Sequence, residues 1–476
     1  MRNKISLLLM IVTTGLVVVS CKKVVDLKPT HTIDGDLFFN TVGDYEFALN
    51  AAYDRLKQNS MYAGVNGGSI FLCAVDVAGD NFYGGPANLG AMNPYFRWNY
   101  TADEASVQGG WDAVYNVIQQ ANITLRGLQR FRATDPLTVN RIEGQARALR
   151  AYMHFEAMRW WVDDYARNSQ EPGIPYVDTF NVELMPARGT VEQTYDAMEA
   201  DLKIAKELLS DIDEPIQSIS SAAATNRAYI DSLVCNAMLA RMYLYAGEAD
   251  SAIKYSSMVI AARPLANTAE FPLIWQDGTT REVVWSIKFQ AGDAALAREI
   301  YQPAGDQLSW RPVSALLNLY DPADVRSAAY WVNRNGRMVL NKYFAKTTAG
   351  ASPDGVTDYK VFRTGEMYLI RAEARANKGL DAAALADLNA LRAARNAATG
   401  TESGTALQIA IAIERRKELV VEGHRFFDLK RTTRSISRTQ NCSSFCSLGS
   451  GSRAWNLPVP QTEMIANDNM EQNPGY

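Results

Sequence analysis

The segment Ile413–Arg431, IERRKELVVEGHRFFDLKR, is dense in charged groups that could form ion pairs or bind an anion. It reads as a helix, and its six basic residues are nearly balanced by four acidic ones. Nearly balanced charge argues against a surface that follows phosphates. The formal net charge of the whole chain, −4, provides no positive field either, so we predict no nucleic-acid partner.

The carboxylates of this segment need partners from elsewhere in the fold. Glu414, Glu418 and Glu422 are spaced by four residues and share one helix face, where like charges repel one another. The helix predicted for FRTGEMYLIRAEARANKG supplies both signs of charge, and guanidinium groups bind carboxylates bidentately. We predict a partly buried, structural ion-pair network between the two helices, built from Glu366, Glu373, Arg415 and Arg416. The alternative is a solvated charged face.

No residue pattern in the chain marks a catalytic or metal site. The histidines His31, His154 and His424 are far apart, and none has a second ligand at metal spacing. The sequence contains no GxSxG elbow, phosphate-binding glycine loop or EF-hand loop. Nothing marks a carboxylate pair for glycoside hydrolysis, although counting does not exclude one among 52 acidic residues. We predict no catalytic residue, no metal and no cofactor.

The N-terminal segment has the features of a bacterial lipoprotein signal. A short basic start is followed by the apolar run Ile5–Val19, which is too short for a comfortable membrane span. The small residue Ser20 then precedes Cys21, whose thiol could carry a thioether-linked lipid. We predict a signal peptide over residues 1–20 and a lipidated tether over residues 21–40. A soluble secreted protein and an uncut signal anchor are the alternatives.

The remaining cysteines indicate structural roles. Cys442 and Cys446 lie in the short segment CSSFC, beside a stretch rich in Ser and Gly, and an export compartment permits disulfides. We predict that these two cysteines can close a small disulfide loop. Zinc is less favoured because no second Cys or His pair lies at ligand spacing.

The body of the chain is predicted to be mainly helical. Two segments read as helical hairpins with small residues at the contact, one turning at Gly247 and the other at Gly379. The region from about 267 to 364 is less regular, with the strand signal EVVWSIKF and several Pro and Gly residues. A second loop-rich segment runs from Gly64 to Asn99.

An ordered set of motifs resembles the SusD/RagB family of Bacteroidetes outer-membrane lipoproteins. Together these motifs cover nearly all of the chain outside the middle region. They are the SC pair with DLKPT behind it, DYEFALNAAYDRL, WDAVYNVIQQAN, GQARALRAYMHFEAMRWW, RGTVEQTYDAMEADLKIAKELL, NRAYIDSLVCNAMLARMYLYAGE, FRTGEMYLIRAEARANKG, ERRKELVVEGHRFFDLKR, LPVPQTEM and QNPGY. The resemblance implies four tetratricopeptide-like hairpins in a single domain, residues 41–476, packed against an irregular ligand-side lobe at about 267–364 with a few short strands.

The resemblance also implies a function. Such a protein would be a non-catalytic, lipid-anchored binder of a glycan or oligosaccharide at the outer membrane. It would act as the lid of a SusC-like TonB-dependent transporter and deliver the captured nutrient to it. Lys22 and Lys23 follow the lipidation site without a strong acidic export signal, so an outward-facing position rests on the resemblance alone. A lipid-anchored glycoside hydrolase and a helical scaffold without a small ligand are the alternatives.

A saccharide site requires flat aromatic rings for the apolar faces of the sugars and polar groups for the hydroxyls. Rings on glycine-rich loops are more often exposed than rings on helices. The candidates from the two loop-rich regions are Asp80, Asn81, Tyr83, Tyr95, Trp98, Trp275, Trp310 and Trp331. Ordinary packing is the alternative for each. The family supplies no ligand motif that could select among them.

Overall fold

The computed structural model describes residues 39–64, 67–90, 92–210, 227–346 and 356–476. Cys21, the expected signal peptide and nearly all of the tether therefore lie outside the described residues. Helices dominate the rest, which confirms the mainly α fold class. In chain order the helices are α1 (Val42–Arg55), α2 (Cys73–Ala78), α3 (Asn93–Arg97), α4 (Ala105–Leu125), α5 (Pro136–Trp161), α6 (Val191–Leu208), α7 (Ser232–Ala246), α8 (Ala249–Ala262), α9 (Phe271–Ile274), α10 (Ser314–Leu317), α11 (Val325–Tyr330), α12 (Thr364–Asn377), α13 (Asp381–Ala394), α14 (Gly404–Glu418), α15 (Arg425–Thr432) and α16 (Gln461–Ala466).

The long helices form four stacked pairs. Helix α1 packs on α4, α5 on α6, α7 on α8, and α12 on α13. Successive pairs contact one another through α4 and α5, α6 and α7, and α8 and α12. Helix α14 extends the row by packing on α12 and α13. This arrangement is the one that the family resemblance implies, since each hairpin buries its remaining apolar surface on the next.

Residue types at the helix ends explain where the chain turns. Thr190 and Gln193 form a capping box at the start of α6, so the first backbone N–H groups have acceptors. Gly247 ends α7 with φ of 77°, and Gly379 lies between α12 and α13 with φ of 72°. Side-chain-bearing residues disfavour this left-handed backbone, whereas glycine adopts it freely. The two hairpins that the sequence predicts are therefore confirmed.

The irregular lobe is built from short strand pairs. The strands of the described chain are β1 (Phe82–Gly84), β2 (Val283–Ile287), β3 (Tyr301–Gln302), β4 (Gln307–Leu308), β5 (Trp310–Pro312), β6 (Trp331–Arg334), β7 (Arg337–Leu340), β8 (Tyr359–Arg363), β9 (Ile436–Ser437) and β10 (Ser447–Leu448). They pair antiparallel as β1–β5, β2–β8, β3–β4, β6–β7 and β9–β10. None of these pairs extends into a larger sheet, so side-chain packing must hold the lobe in place.

The strand predicted for EVVWSIKF exists, but it is not half-exposed as its alternation suggests. All five residues of β2 are buried, and so are all five residues of its partner β8. The pair lies between the helical pairs and the lobe, with α7 packed on β2 and α12 following β8 directly. Both faces of this two-stranded ribbon therefore lie in the core.

The segment Ile413–Arg431 is not one helix, contrary to the sequence-based prediction. Helix α14 ends at Glu418, and α15 begins at Arg425. Between them, Val421 has φ of 53° and Gly423 has φ of 78°. A side chain at Gly423 would lie 2.3 Å from the backbone oxygen of Phe71, so this position requires glycine.

Buried side chains explain the break, because they satisfy the backbone groups that a continuous helix would pair internally. The hydroxyl groups of Tyr330, Tyr343 and Tyr359 donate to the carbonyl oxygens of residues 418, 421 and 422, at 2.7–3.0 Å. Lys342 donates to the carbonyl oxygen of Val420 at 2.8 Å. These partners come from the lobe, which is distant in sequence, so helical periodicity carries no sign of them.

A buried ion-pair cluster joins the lobe to the helical pairs. Glu418 is fully buried and contacts three guanidinium groups at 2.8–3.0 Å, those of Arg326, Arg363 and Arg395. Arg326 belongs to α11, Arg363 ends β8, and Arg395 follows α13. Their remaining N–H groups bind other buried carboxylates, which are Glu282, Asp324, Glu414 and Glu422. We refer to this set of residues as the Glu418 cluster.

We expect Glu418→Gln to destabilise the protein by about 3–5 kcal/mol at pH 7, because three buried guanidinium groups lose charge compensation. Burial alone raises the pKa of Glu418, but Arg395, Arg363 and Arg326 overcome it and hold that pKa well below its usual 4.5. The unfolded chain takes up this proton near pH 4.5, so the stabilisation is present above that pH and is lost as the pH falls. Urea unfolding at several pH values between 7 and 3 measures the free energy of unfolding of both proteins. The difference between the wild type and Glu418→Gln should become smaller as the pH falls.

Asp250→Asn is the matched control. Its carboxylate pairs with Lys378 at the surface, with the Asp250 side chain 83% exposed, so its loss should cost under about 1 kcal/mol. Equal effects of the two substitutions, or a Glu418→Gln difference that does not change with pH, would contradict the role of the cluster.

Candidate functional site

The structure contains one pair of the predicted ion-pair network, Arg415 with Glu373, and gives Glu366 and Arg416 other partners. Glu366 binds Arg241 bidentately, both oxygens lying 2.7 Å from guanidinium nitrogens, and not Arg415 or Arg416. Arg415 does approach Glu373, at 3.7 Å, and binds Asp428 more closely, at 3.0 Å. Consecutive residues of a helix point about 100° apart, so Arg415 and Arg416 cannot both face α12.

Arg416 and Arg425 instead hold the turn that leads into β1. Arg425 binds both carboxylate oxygens of Asp80, at 2.6 and 2.8 Å. Arg416 donates to the side-chain oxygen of Asn81 at 2.8 Å and to the carbonyl oxygen of Asp80 at 3.1 Å. Burial by itself raises the pKa of Asp80, but the hydrogen bond and charge of Arg425 bring that pKa below its usual value. The carboxylate is thus charged and committed to the scaffold.

This turn brings the two loop-rich regions of the sequence together. Strand β1 follows it and pairs antiparallel with β5, so that Tyr83 lies opposite Arg311 and Gly84 opposite Trp310. The backbone of Gly85 continues the contact by donating to the carbonyl oxygen of Ser309 at 2.7 Å. A side chain at Gly85 would meet the carbonyl oxygen of Leu308 at 2.3 Å, which explains a glycine at this close approach.

The four tryptophans predicted to contact saccharide are all buried, so their rings cannot stack on a sugar in this structure. Trp98 and Trp310 are 9% and 1% exposed. Trp98 donates from its indole to the carbonyl oxygen of Ala78 at 2.8 Å. Trp331 packs against Phe82, and Trp275 lies among the cations of the Glu418 cluster, 5.1 Å from Arg363. The loops do not expose these rings because they fold back on the helices and supply much of the core there.

Two further candidates are also buried. Tyr95 lies under α4, where its hydroxyl contacts that of Ser106 at 3.1 Å. The side chain of Asn81 donates to Asp76 at 2.7 Å and accepts from Arg416. Of the eight candidates, only Tyr83 and Asp80 retain partial exposure, and Asp80 is bound to arginine. Tyr83 is therefore the one predicted residue that keeps a ring surface for a ligand.

The structure also presents aromatic residues that sequence reasoning missed. Phe96 is partly exposed and covers Trp310, with ring centroids 5.1 Å apart. Arg438 lies over Phe96 and Trp98, 4.1 and 3.9 Å from the ring centroids, and its Nη1 donates to the carbonyl oxygen of Phe445 at 3.3 Å. The Phe445 side chain is 44% exposed. Phe445 lies inside the CSSFC segment, and a ring in a small loop closed by a disulfide is a sequence feature that could have indicated its exposure.

The two cysteines of that segment are bonded in the structure. The sulfur atoms of Cys442 and Cys446 lie 2.06 Å apart, and they close the loop that carries Phe445. Arg438 ties this loop to the body, since its backbone N–H donates to the carbonyl oxygen of Cys446 at 2.7 Å. The pairing of β9 with β10 flanks the loop on both sides.

We define the β1–β5 face as Tyr83, Phe96, Arg311 and Phe445. Paired backbones, ring packing and Arg438 connect these residues, which come from three separate parts of the chain. A partly exposed ring opposite a guanidinium group, as Tyr83 is opposite Arg311, suits a ligand that is apolar on one side and rich in oxygen atoms on its edge. Saccharides have this character.

Several concave surfaces of the described residues lie elsewhere, and two of them have the same volume. A groove of about 480 Å³ between α12, α14 and α15 has largely apolar walls that include Ile409, Ile413 and Leu429. A cavity of about 480 Å³ between α4 and residues 175–186 is lined by polar groups such as Asn116 and Glu463. None of the saccharide candidates lines either of them.

Within the described ranges, no group of three or more His, Cys, Asp or Glu side chains could hold a metal ion. No helix there combines the length and apolar character that crossing a membrane requires.

Two family models match the chain. One, described as starch-binding associating with outer membrane, matches residues 41–244, and the other, described as the SusD family, matches residues 301–476. Between them they include β1, β5 and the whole segment from α14 to the end of the chain.

Individual proteins agree with these matches. The SusD-like protein P38 of Formosa agariphila is 22% identical over 544 residues, spanning 100% of this chain and 99% of that protein. A SusD superfamily structure from Bacteroides thetaiotaomicron has a TM-score of 0.78 at 24% identity, covering 91% of this chain and 100% of that one. The surface glycan-binding protein A from Bacteroides fluxus has a TM-score of 0.73 at 18% identity, and the alignment covers 92% of this chain and 100% of that one. The chain belongs to the SusD/RagB family.

Proposed function

We propose that this protein binds a glycan or oligosaccharide at the β1–β5 face without cleaving it. The observation that carries the proposal is the pairing of β1 with β5. It brings Tyr83 and Arg311 side by side, while the neighbouring strand residue Trp310 packs against Phe96. Membership of a family with a starch-binding description, and a structural neighbour named as a glycan-binding protein, favour a saccharide over other ligands of this character.

The geometry of the face suits binding and provides no catalytic machinery that we recognise. Asp80 is the carboxylate nearest to Tyr83 along the chain, and Arg425 and Arg416 occupy it. A general acid for glycoside cleavage needs a raised pKa, whereas these arginines lower the pKa of Asp80. Rings and a guanidinium group in fixed positions can hold a sugar without reacting with it.

We propose further that the protein is anchored to the outer membrane through a lipid on Cys21 and faces the cell exterior. There it would act as the lid of a SusC-like TonB-dependent transporter and deliver the bound glycan to it. The description of the matching family model as associating with the outer membrane supports this location. The proposed face includes no residue of the helical row, so that row remains available to the transporter.

Tyr83→Ala and Phe96→Ala should each weaken glycan binding about tenfold, because each removes a ring that stacks on the sugar. Affinity electrophoresis of the purified protein against a panel of plant and host glycans identifies a ligand, and calorimetry then measures the variants. Product analysis of the same mixtures should show no shortened oligosaccharides.

Tyr368→Ala is the control for this prediction, since Tyr368 is a partly buried tyrosine on α12, in the helical row. This substitution also removes a tyrosine ring, but away from the proposed face, so the affinity for the glycan should stay unchanged. Unchanged binding in both Tyr83→Ala and Phe96→Ala would reject the β1–β5 face as the site. Steady release of shortened products would favour a hydrolase.

Cys21→Ala should move the full-length protein from the membrane fraction to the soluble fraction, because the thiol is the only attachment point for the lipid. Labelling with a palmitate analogue in the native host checks this directly, with Cys442→Ser as a cysteine substitution that keeps the anchor. The wild-type protein should co-purify with a large β-barrel transporter. A wild-type protein that is not labelled would contradict the lipid anchor on Cys21. A labelled protein that co-purifies with no transporter would contradict its proposed role as a transporter lid.

A further inference from the structure

Arg311 differs from Arg416, Arg425 and Arg438 because it has neither a counter-ion nor a hydrogen-bond acceptor among the residues that the structure describes. Its Nε atom is buried and has no hydrogen-bond partner. Arg425 and Arg416, in contrast, are bound to Asp80, and Arg438 donates to five carbonyl oxygens. A partly buried guanidinium group without an acceptor is costly for the folded protein on its own.

The carboxylates in the adjoining segments are already committed. Asp80 binds Arg425 through both of its oxygens. Asp306, which lies five residues before Arg311, pairs with Arg337 and accepts from Tyr301 and Asn335, each at 3.0 Å. Neither carboxylate is positioned to neutralise Arg311, so the face carries an uncompensated positive charge.

The register of the strands places this charge beside the most useful ring. Tyr83 and Arg311 are directly opposite one another in the antiparallel pair, where the side chains of opposed residues lie about 5 Å apart on the same side of the ribbon. Their inward neighbours, Phe82 and Pro312, are buried, so Tyr83 and Arg311 occupy the outward side. A sugar ring that stacks on Tyr83 would therefore bring its substituents to the guanidinium group.

We propose that the β1–β5 face selects an anionic saccharide and that Arg311 binds its carboxylate or sulfate group. This inference rests on the proposed glycan-binding function and adds the class of ligand. A planar guanidinium group offers two parallel N–H groups to two oxygens of a carboxylate or sulfate, whereas a neutral hydroxyl accepts only one of them. The outward N–H groups of Arg311 have no acceptor among the described residues, and an anionic ligand would supply one.

The test compares acidic and neutral glycans on the full folded protein. Polygalacturonate and alginate represent uronates, chondroitin sulfate and heparin represent sulfated chains, and starch, xylan and galactan are neutral. We expect the wild-type protein to bind the acidic glycans. Arg311→Gln should bind them at least about tenfold more weakly, because it loses one charge-assisted contact. The affinity of Arg311→Lys should lie between those of the wild type and Arg311→Gln, because lysine keeps the positive charge but lacks the two parallel N–H groups of a guanidinium.

Two controls separate a specific contact from general charge. Arg55→Gln removes an exposed positive charge at the end of α1 and should leave the affinity unchanged. Methyl-esterified polygalacturonate keeps the sugar rings but removes the charge, and it should bind less tightly than the free acid. The affinity for the acidic glycan should also fall as the salt concentration rises.

The outcomes distinguish this inference from the function on which it rests. Binding of neutral glycans with equal affinity in Arg311→Gln would overturn the anionic preference and leave glycan binding intact. Binding of acidic glycans that Arg311→Gln does not weaken would overturn the role of Arg311. Failure of every glycan in the panel to bind the wild-type protein would overturn both.

Discussion

Charges buried away from water must be paired, and this requirement organises the whole molecule around Glu418. Its three guanidinium partners come from α11, from the end of β8 and from the residue after α13. Each partner in turn binds a second carboxylate from another element, Glu414 for Arg326 and Glu282 for Arg363 and Arg395. The irregular lobe is attached to the regular helical row through the most costly kind of contact to break, because removing any member leaves a charge uncompensated.

The same requirement extends outward from the cluster to the β1–β5 face. Glu422 lies in the turn after α14 and completes the cluster through Arg363. The residue before Glu422 is Val421, and its backbone N–H donates to the carboxylate of Asp76 at 3.0 Å. The same carboxylate accepts a hydrogen bond from the side chain of Asn81. Burial, which its two hydrogen bonds only partly offset, raises the pKa of Asp76 to about 6. From Asn81 the chain passes directly into β1, so the position of Tyr83 depends on contacts that begin in the core.

Local patterns in the sequence are sufficient for the parts of this fold that depend on near neighbours. The hairpin turns at Gly247 and Gly379 follow from backbone conformation, and the start of α6 follows from the capping pair Thr190 and Gln193. Family-specific motifs in order along the chain add the stacking of the helical pairs. Each of these features is encoded within a few residues of the place where it appears.

The candidate site depends on long-range pairing, which local patterns do not encode. Arg416 could equally have faced α12, and only the tertiary structure shows that it binds Asp80 and Asn81, more than 300 residues away. The tryptophans of the loop-rich regions look exposed by their glycine-rich context, yet their large apolar area is buried where the loops cross. Phe96 was overlooked because nothing near it in the sequence distinguishes it from a core residue, whereas the CSSFC segment could have pointed to Phe445.

This division of roles explains how the scaffold can carry the β1–β5 face without involving the buried charges. The residues that stabilise the turn into β1, Arg416, Arg425 and Arg438, direct their guanidinium groups inward to carboxylates and carbonyl oxygens. Tyr83 and Arg311 lie on the outward side of a ribbon that is only three residues long on each strand. Substituting such outward residues costs a folded protein little, whereas a change inside the Glu418 cluster unbalances several charges at once. The ligand chemistry can therefore change at the face while the buried charges hold its position.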